Sequence, residues 1–272
     1  MSVSPTITLD RIIKRFDAKC ALDGIAATIL PGEFIAVIGS SGAGKTTLLR
    51  CLACAIPVTE GAIRFGAQDL ATLRGSALRR HRARVGMIYQ QFNLVKRLPV
   101  LTNVLIGRLP HLTRSRRWMA VWHRFDARQR NIALRCLEHV GLLDRAWQRT
   151  DTLSGGEQQR VAIAKVLAQE PEVILADEPV ASLDVMNGAL VMATLRYVAA
   201  SAGLTVIANL HHVDYARRYA DRILGLCAGR LVFDGPPEAL HEVVIRNIFG
   251  DVSPDAAGFG PMVAGEEVWA TS

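Results

Sequence analysis

Eight consecutive residues, Gly39-Ser40-Ser41-Gly42-Ala43-Gly44-Lys45-Thr46, follow the pattern G-x-x-x-x-G-K-[ST] and suit one task, holding phosphate. The glycines let the backbone turn so that successive N–H groups converge on phosphate oxygens. A helix starting at that turn adds the partial positive charge of its N-terminus. In this pattern Lys45 reaches the β- and γ-phosphates and the Thr46 hydroxyl binds Mg²⁺, with Thr47 completing the phosphate-binding set. At average composition the four fixed positions arise by chance in roughly one chain in a hundred of this length. A flanking strand and helix therefore strengthen the assignment. By itself the loop says nucleoside triphosphate and leaves the reaction open.

A second element narrows the reaction. Val173-Ile174-Leu175-Ala176 is an apolar run that ends in Asp177-Glu178. At that position Asp177 would hold Mg²⁺ through its water shell, and Glu178 would polarise an attacking water, which is hydrolase chemistry. An ordinary acidic strand-to-loop junction is the plainer alternative, and the phosphate loop upstream favours the chemical one. A third element is Leu153-Ser154-Gly155-Gly156-Glu157-Gln158-Gln159-Arg160. Ser154-x-x-Glu157 is a capping box, which predicts a helix with Gly155 and Gly156 in its first turn. Bare glycine amides at a helix start form a phosphate clamp, whereas a cap alone would have no chemical role. Spacing does not say whose phosphate would be held.

The elements that must position these residues read as an α/β domain. Phe34-Ile35-Ala36-Val37-Ile38 is a continuous apolar run, expected of a strand buried on both faces. Leu48, Leu49, Leu52, Ala53 and Ile56 recur at helical spacing until Pro57. Val173–Ala176 and Thr205–Ala208 are two more buried strands, and Arg222 to Asp234 reads as a hairpin around Ala228-Gly229. Ile7, Leu9, Ile12–Ile13 and Ile25–Leu30 suggest short strands at the front. Strands alternating with helices predict a mostly parallel sheet. Residues 91–160 interrupt this with few β-like runs and helical spacing at Ile132, Leu134, Leu137, Val140 and Leu142, a helical insertion. Residues 251–272, rich in Gly, Pro and Ala, read as a mobile tail.

With 272 residues, half of them hydrophobic, the chain can bury a large core and is not wholly disordered. No run approaches the roughly 18 consecutive apolar residues of a bilayer span. Met1-Ser2-Val3-Ser4-Pro5 lacks the basic-then-apolar start of a secretory signal. Five cysteines make no disulfide framework. Cys51 and Cys54 read as small core residues, since no second ligand pair stands at zinc spacing. A net charge of +7 permits anionic partners without selecting one. Ten arginines lie between Arg108 and Arg149, either a solvated helical face or a surface for an anionic partner.

Together the three elements resemble the nucleotide-binding subunits of ABC transporters, and the likeness runs to about residue 245. The resemblance implies an α/β P-loop NTPase fold with a RecA-like, mostly parallel sheet, an N-terminal antiparallel β subdomain and an inserted α-helical subdomain. It places one ATP-binding domain at residues 1–250, with residues 91–160 as the helical insertion. It implies ATP and Mg²⁺ as cofactors and a head-to-tail dimer sandwiching two ATP molecules. Each site would join the P-loop of one copy to Ser154, Gly155, Gly156 and Gln158 of the other. By the same resemblance Phe16 stacks on adenine, with a core phenylalanine as the alternative. Gln90, with Gln91 as its competitor, touches Mg²⁺ and water and couples to a membrane subunit. Ser182-Leu183-Asp184 crosses the dimer seam, and His211, rather than His212, contacts the γ-phosphate.

Within that family the chain is similar to ATP-binding subunits of phosphonate importers. The likeness rests on Gln90-Gln91-Phe92-Asn93-Leu94-Val95, Asn103-Val104-Leu105-Ile106-Gly107, Asp177 to Asp184, and Leu210-His211-His212-Val213-Asp214-Tyr215-Ala216. Departures are His212 for a usual Gln, Lys165 for a usual Arg and Val180 for a usual Ile or Thr. None removes a catalytic group. The resemblance implies a separate membrane permease, a substrate-binding protein acting indirectly, a peripheral place on the cytoplasmic face of the inner membrane, and no nucleic-acid partner. Alternatives are another transporter of the family (a phosphate-like anion or amino-acid importer, or a lipoprotein- or macrolide-type exporter), a soluble DNA-associated relative, and a P-loop kinase. The last leaves the Ser154-Gly155-Gly156 segment unexplained.

Overall fold

The computed structural model of the chain describes residues 4–112 and 125–250. Strands β1 (Ile7–Phe16) and β2 (Lys19–Ile29) pair antiparallel across Asp17-Ala18, so that Phe16 faces Lys19 and Ile7 faces Ile29. Both run longer than the short apolar alternations alone indicate, because a register shift after Leu9 lets the pairing continue past Ile12. β4 (Glu60–Phe65) and β5 (Gln68–Asp69) complete a four-stranded antiparallel sheet in the order β2-β1-β4-β5.

The second sheet holds β3 (Phe34–Ile38), β6 (Val85–Ile88), β7 (Val173–Asp177), β8 (Thr205–Asn209), β9 (Arg222–Cys227) and β10 (Arg230–Gly235). Their order is β10-β9-β3-β8-β7-β6; β9 through β6 run parallel, and β10 returns antiparallel at the edge. β3 shows why a continuous apolar run suits this position. Its Phe34, Ala36 and Ile38 enter one hydrophobic cluster, while Ile35 and Val37 enter another on the opposite face. The antiparallel sheet and helix α1 (Lys45–Leu52) cover one face. α1 stops five residues before Pro57, and Cys54 beyond it takes a left-handed φ of 51°. Cys51 is a core residue of α1, and burial pushes its thiol up to about 11. Helix α2 (Gly75–Arg84) leads into β6.

Between β6 and β7 lie α3 (Val100–Ile106), α4 (Ala127–His139) and α5 (Gly155–Ala168), with no strand among the described residues. The Asp126 carboxylate caps α4 by accepting from the Gln129 amide. Gly141, at φ 67°, ends the helix: its amide donates to the Glu138 carbonyl and that of Leu142 to Leu137. The buried stripe of α4 is Ala133, Cys136 and Leu137, while Val140 and Leu142 pack beyond its end. Helices α6 (Val185–Ala202), α7 (Val213–Tyr219) and α8 (Glu242–Phe249) follow. Among the described residues α6 is the one helix long and apolar enough to cross a membrane; it buries Val191, Met192, Leu195, Val198 and Ala199 in the core.

The arginine-rich stretch divides by position. Arg128, Arg130 and Arg135 are exposed on α4. Arg108 instead is 4% exposed, donating to the Gln129 side chain and the Ala168 carbonyl, so it fastens α3 to α4 and α5 rather than facing solvent. Arg114, Arg116, Arg117 and Arg124, like the 251–272 tail, lie outside the described residues.

Candidate functional site

Strand order assembles the site. β8 lies between β3 and β7, and its last residue, Asn209, pairs with Val37 on one side and Asp177 on the other. The carboxyl ends of three parallel strands therefore meet at one edge, where ligands bind in open α/β sheets. The loop 39–44 leaves β3 at that edge. Gly44 stands at the N-cap of α1 with φ 104°, and a Cβ there would sit 2.4 Å from the Ala21 carbonyl oxygen, so only glycine fits. The Lys45 ammonium donates to the carbonyls of Gly39 (2.6 Å) and Ser40 (3.0 Å), which curls the loop around it. Lys45 is only 4% exposed. Burial lowers its pKa from 10.5, against the opposing pull of the Glu178 and Asp177 carboxylates.

A cleft of about 340 Å³ opens over the loop, lined by Ser41, Gly42, Ala43, Gly44, Lys45, Thr46 and Thr47 and by Phe16, Glu178 and His211. Gly39 and Ser40 do not line it, and their carbonyls accept from Lys45. The Thr46 hydroxyl donates to Asp177 Oδ1 at 2.9 Å. A hydroxyl and a carboxylate are hard oxygen donors that fit Mg²⁺. The neighbouring Asn209 side-chain oxygen, buried and without a partner among the described residues, adds an unused acceptor. Glu178 follows with a left-handed φ of 52°, its amide donating to the Asn209 carbonyl at 3.2 Å. That turn brings its carboxylate to His211, whose Nε2 lies 2.5 Å from Glu178 Oε1. A ring nitrogen this close to a carboxylate oxygen carries the proton and donates.

Other expectations separate here. Phe16 is 45% exposed at the rim of the cleft and is no core residue. His211 lines the cleft; His212 precedes α7 and packs edge-on against Tyr215. Gln90 and Gln91 are exposed just beyond β6 and do not line the cleft. Ser154, Gly155, Gly156 and Gln158 lie elsewhere too. The predicted capping box is present: the Glu157 amide donates to Ser154 Oγ (3.3 Å), and the Ser154 amide to Glu157 Oε2 (2.8 Å). Gln158 donates to the Leu153 carbonyl. A Cβ on Gly155 would come 3.1 Å from Leu183, and one on Gly156 would come 2.6 Å from Asn187 Oδ1. Asn187 in turn bonds Asp184, the N-cap of α6. The glycine pair thus packs against the Ser182–Asp184 loop, with Ser182 and Asp184 exposed.

Sequence motifs did not point to three cleft residues, Lys19, Ala21 and Asn209. Lys19 was detectable as the basic residue facing Phe16 across a tight turn. Asn209 was detectable as an amide following the apolar run Val206-Ile207-Ala208 of a buried strand, where a polar group needs partners. A second cleft of about 540 Å³ lies near Gln90, lined by Met87, Tyr89, Phe92, Ile106, Arg82 and Lys165 among others. Lys165 donates to the Asn93 carbonyl there, and burial lowers its pKa.

Comparison with known proteins fits this geometry. Residues 22–181 match the family described as ABC transporter. The chain is 46% identical over 262 residues to the phosphonates import ATP-binding protein PhnC of Bradyrhizobium diazoefficiens, covering 96% of each chain. It is 49% identical over 245 residues to the protein of that name from Thiobacillus denitrificans, covering 89% of this chain and 92% of the relative. Among solved structures, a dimeric post-hydrolysis ATP-binding cassette bound to ADP and Pi superposes with TM-score 0.73 at 32% identity, covering 85% of this chain and 98% of the other. CbiO1 of Clostridium perfringens, part of the ABC transporter complex cbiONQ, gives TM-score 0.77 at 26% identity, covering 90% and 94%.

Proposed function

The chain belongs to the ABC transporter family, and from that premise we propose that it is the ATP-hydrolysing subunit energising phosphonate import through a separate membrane permease. One observation carries the enzymatic half: Lys45, Thr46, Asp177, Glu178 and His211 converge on one cleft from three separate stretches of chain. The kinship to phosphonate import ATP-binding proteins supports the substrate.

Lys45 and the loop amides bind the triphosphate, with Gly39, Ser40, Ser41, Gly42, Ala43, Gly44, Thr46 and Thr47 as the cradle and Phe16 against the base. Thr46, Asp177 through the ion's water shell, and Gln90 would hold Mg²⁺, which would neutralise charge developing on the phosphates. Glu178 takes a proton from the attacking water. The His211 N–H keeps the Glu178 carboxylate oriented and meets the γ-phosphate side of the cleft.

The domain spans residues 1–250, with residues 91–160 as its helical subdomain. A second copy completes each site, since Ser154, Gly155, Gly156 and Gln158 sit outside this chain's own cleft. Val185 and Met186, 62% and 82% exposed directly after Asp184, support a seam there, because large apolar side chains left in water mark an interface. The cleft of Tyr89, Phe92 and Lys165 beside Gln90 would receive the permease in this reading. The reading implies a peripheral position on the cytoplasmic face of the membrane, with a substrate-binding protein acting through the permease.

The test is radiolabelled methylphosphonate uptake in a host lacking this gene, with growth on that compound as sole phosphorus source. Wild-type protein is expected to restore uptake and Glu178→Gln to fail. Uptake unchanged by loss of the gene would remove the phosphonate assignment and leave the ATPase standing.

A further inference from the structure

Asn209 is fully buried, yet its side chain reaches the two groups that would hold the cation. Nδ2 donates to Asp177 Oδ1 at 2.7 Å and to Thr46 Oγ1 at 3.3 Å. The amide has one chemically acceptable orientation, because a carboxylate oxygen has no proton to offer an amide oxygen. Its backbone carbonyl meanwhile accepts from the Glu178 amide. One residue thus ties together the hydroxyl of α1, the carboxylate of β7 and the turn that aims Glu178.

We propose that Asn209 is a positioning residue for the divalent cation, fixing Thr46 and Asp177 so that they present lone pairs to the ion and its water shell. This rests on the reading of the cleft as a Mg²⁺-dependent ATP site. With the Thr46 proton committed to Asp177 and one Thr46 lone pair taken by Asn209, the second lone pair is left for the ion. Asp177 Oδ1 is already satisfied by two donors, which leaves Oδ2 without a protein partner among the described residues. The buried Asn209 Oδ1, also without one, is an acceptor of the kind that a cation's bound water uses. An apolar side chain here would leave the Thr46–Asp177 hydrogen bond to hold the two ligands without the Asn209 brace. An acidic one would set a like charge against Asp177.

Valine and threonine at position 209 make the test, since they are nearly isosteric, both suit a strand and differ in one hydroxyl donor. ADP affinity is measured calorimetrically on the full chain with Mg²⁺ and with EDTA, after circular dichroism shows the variants folded. Asn209→Val is expected to bind ADP in EDTA as the wild type does, while the affinity gained on adding Mg²⁺ shrinks about tenfold. Asn209→Thr should recover part of that gain. A wild-type gain retained in Asn209→Val, equal gains in the two variants, or equal losses with and without Mg²⁺ would each overturn the proposal. If Asn209→Val does not fold, the gain in Asn209→Thr decides: a full wild-type gain overturns the proposal and an intermediate one supports it. A wild-type protein showing no Mg²⁺ gain would instead overturn the ATP-site reading beneath it.

Discussion

The phosphate loop and the Ser154–Gln158 segment are both glycine-rich helix starts, yet they stand in opposite relations to the cleft. Gly39 to Thr47 meet Asp177, Asn209, Glu178 and His211 within the chain, and the hydrogen bonds among them are already made. Ser154, Gly155 and Gly156 have their own capping box complete and their backs against Leu183 and Asn187, but no other part of the cleft nearby. The first region is assembled within one chain. The second lies outside that cleft and, in the proposed dimer, would meet the partner's nucleotide. Its glycines also answer to two demands at once, close packing within the chain and bare amides outside it.

Experiments can break this contrast in order of expected size. Replacing Glu178 with Gln should lower the hydrolysis rate about a hundred- to ten-thousandfold while nucleotide affinity persists, read as phosphate release against calorimetric binding. Full turnover in that variant would show that the base lies elsewhere. Lys45→Ala should weaken ATP binding about a hundredfold. Retained affinity would mean that the loop alone, without its buried ammonium, makes the phosphate site.

Ser154→Ala sharpens the comparison further. Loss of the cap costs about 1 kcal/mol, a fall of roughly 2–4 °C in Tm. Hydrolysis should fall by about tenfold or more if the hydroxyl also meets a phosphate in the dimer. A Tm shift with unchanged turnover would reduce the segment to a helix cap. Phe16→Ala should cost about three- to tenfold in ATP affinity, the scale of one aromatic contact.

The smallest effect is expected from pH. Burial lowers the Lys45 pKa, so the ammonium loses its proton at a lower pH than an exposed lysine would. The phosphates need the charged form. ATP affinity should therefore decline with rising pH and begin to do so below 10.5. A phosphate contact raises the pKa again in the complex, so the decline should run from the free lysine's pKa up to that of the bound one. Affinity independent of pH up to about 10.5 would show that burial leaves the free lysine unperturbed.

Much of the site was legible because its chemistry lies in local patterns. Loop 39–46, the Asp177-Glu178 pair and the capping box each occupy fewer than ten consecutive residues, where backbone geometry dictates residue type. The buried strands β3, β7 and β8 were legible for the same reason. β6 was not, since Val85-Gly86-Met87-Ile88 is too short and too broken by glycine to announce itself. Arg108 read as one charge among many, because only the approach of α3 to α5 encloses it. The stripe on α4 shifted because Gly141 ends the helix ahead of Leu142.

By itself the sequence determined which groups could act: a lysine and a threonine behind a glycine turn, two carboxylates at a strand end, and a histidine after another strand. These follow from short-range sterics and hydrogen bonding, which depend on neighbours in the chain. Only the tertiary structure decided which groups meet. Inserting β8 between β3 and β7 brought Asn209 to Thr46 and Asp177, residues 163 and 32 positions away. The tertiary structure also placed Phe16 at a rim rather than in the core, and kept Ser154 and Gln90 out of the cleft. Strand order arises from burying both faces of a parallel sheet under separate layers, a condition on the whole chain that no short segment carries.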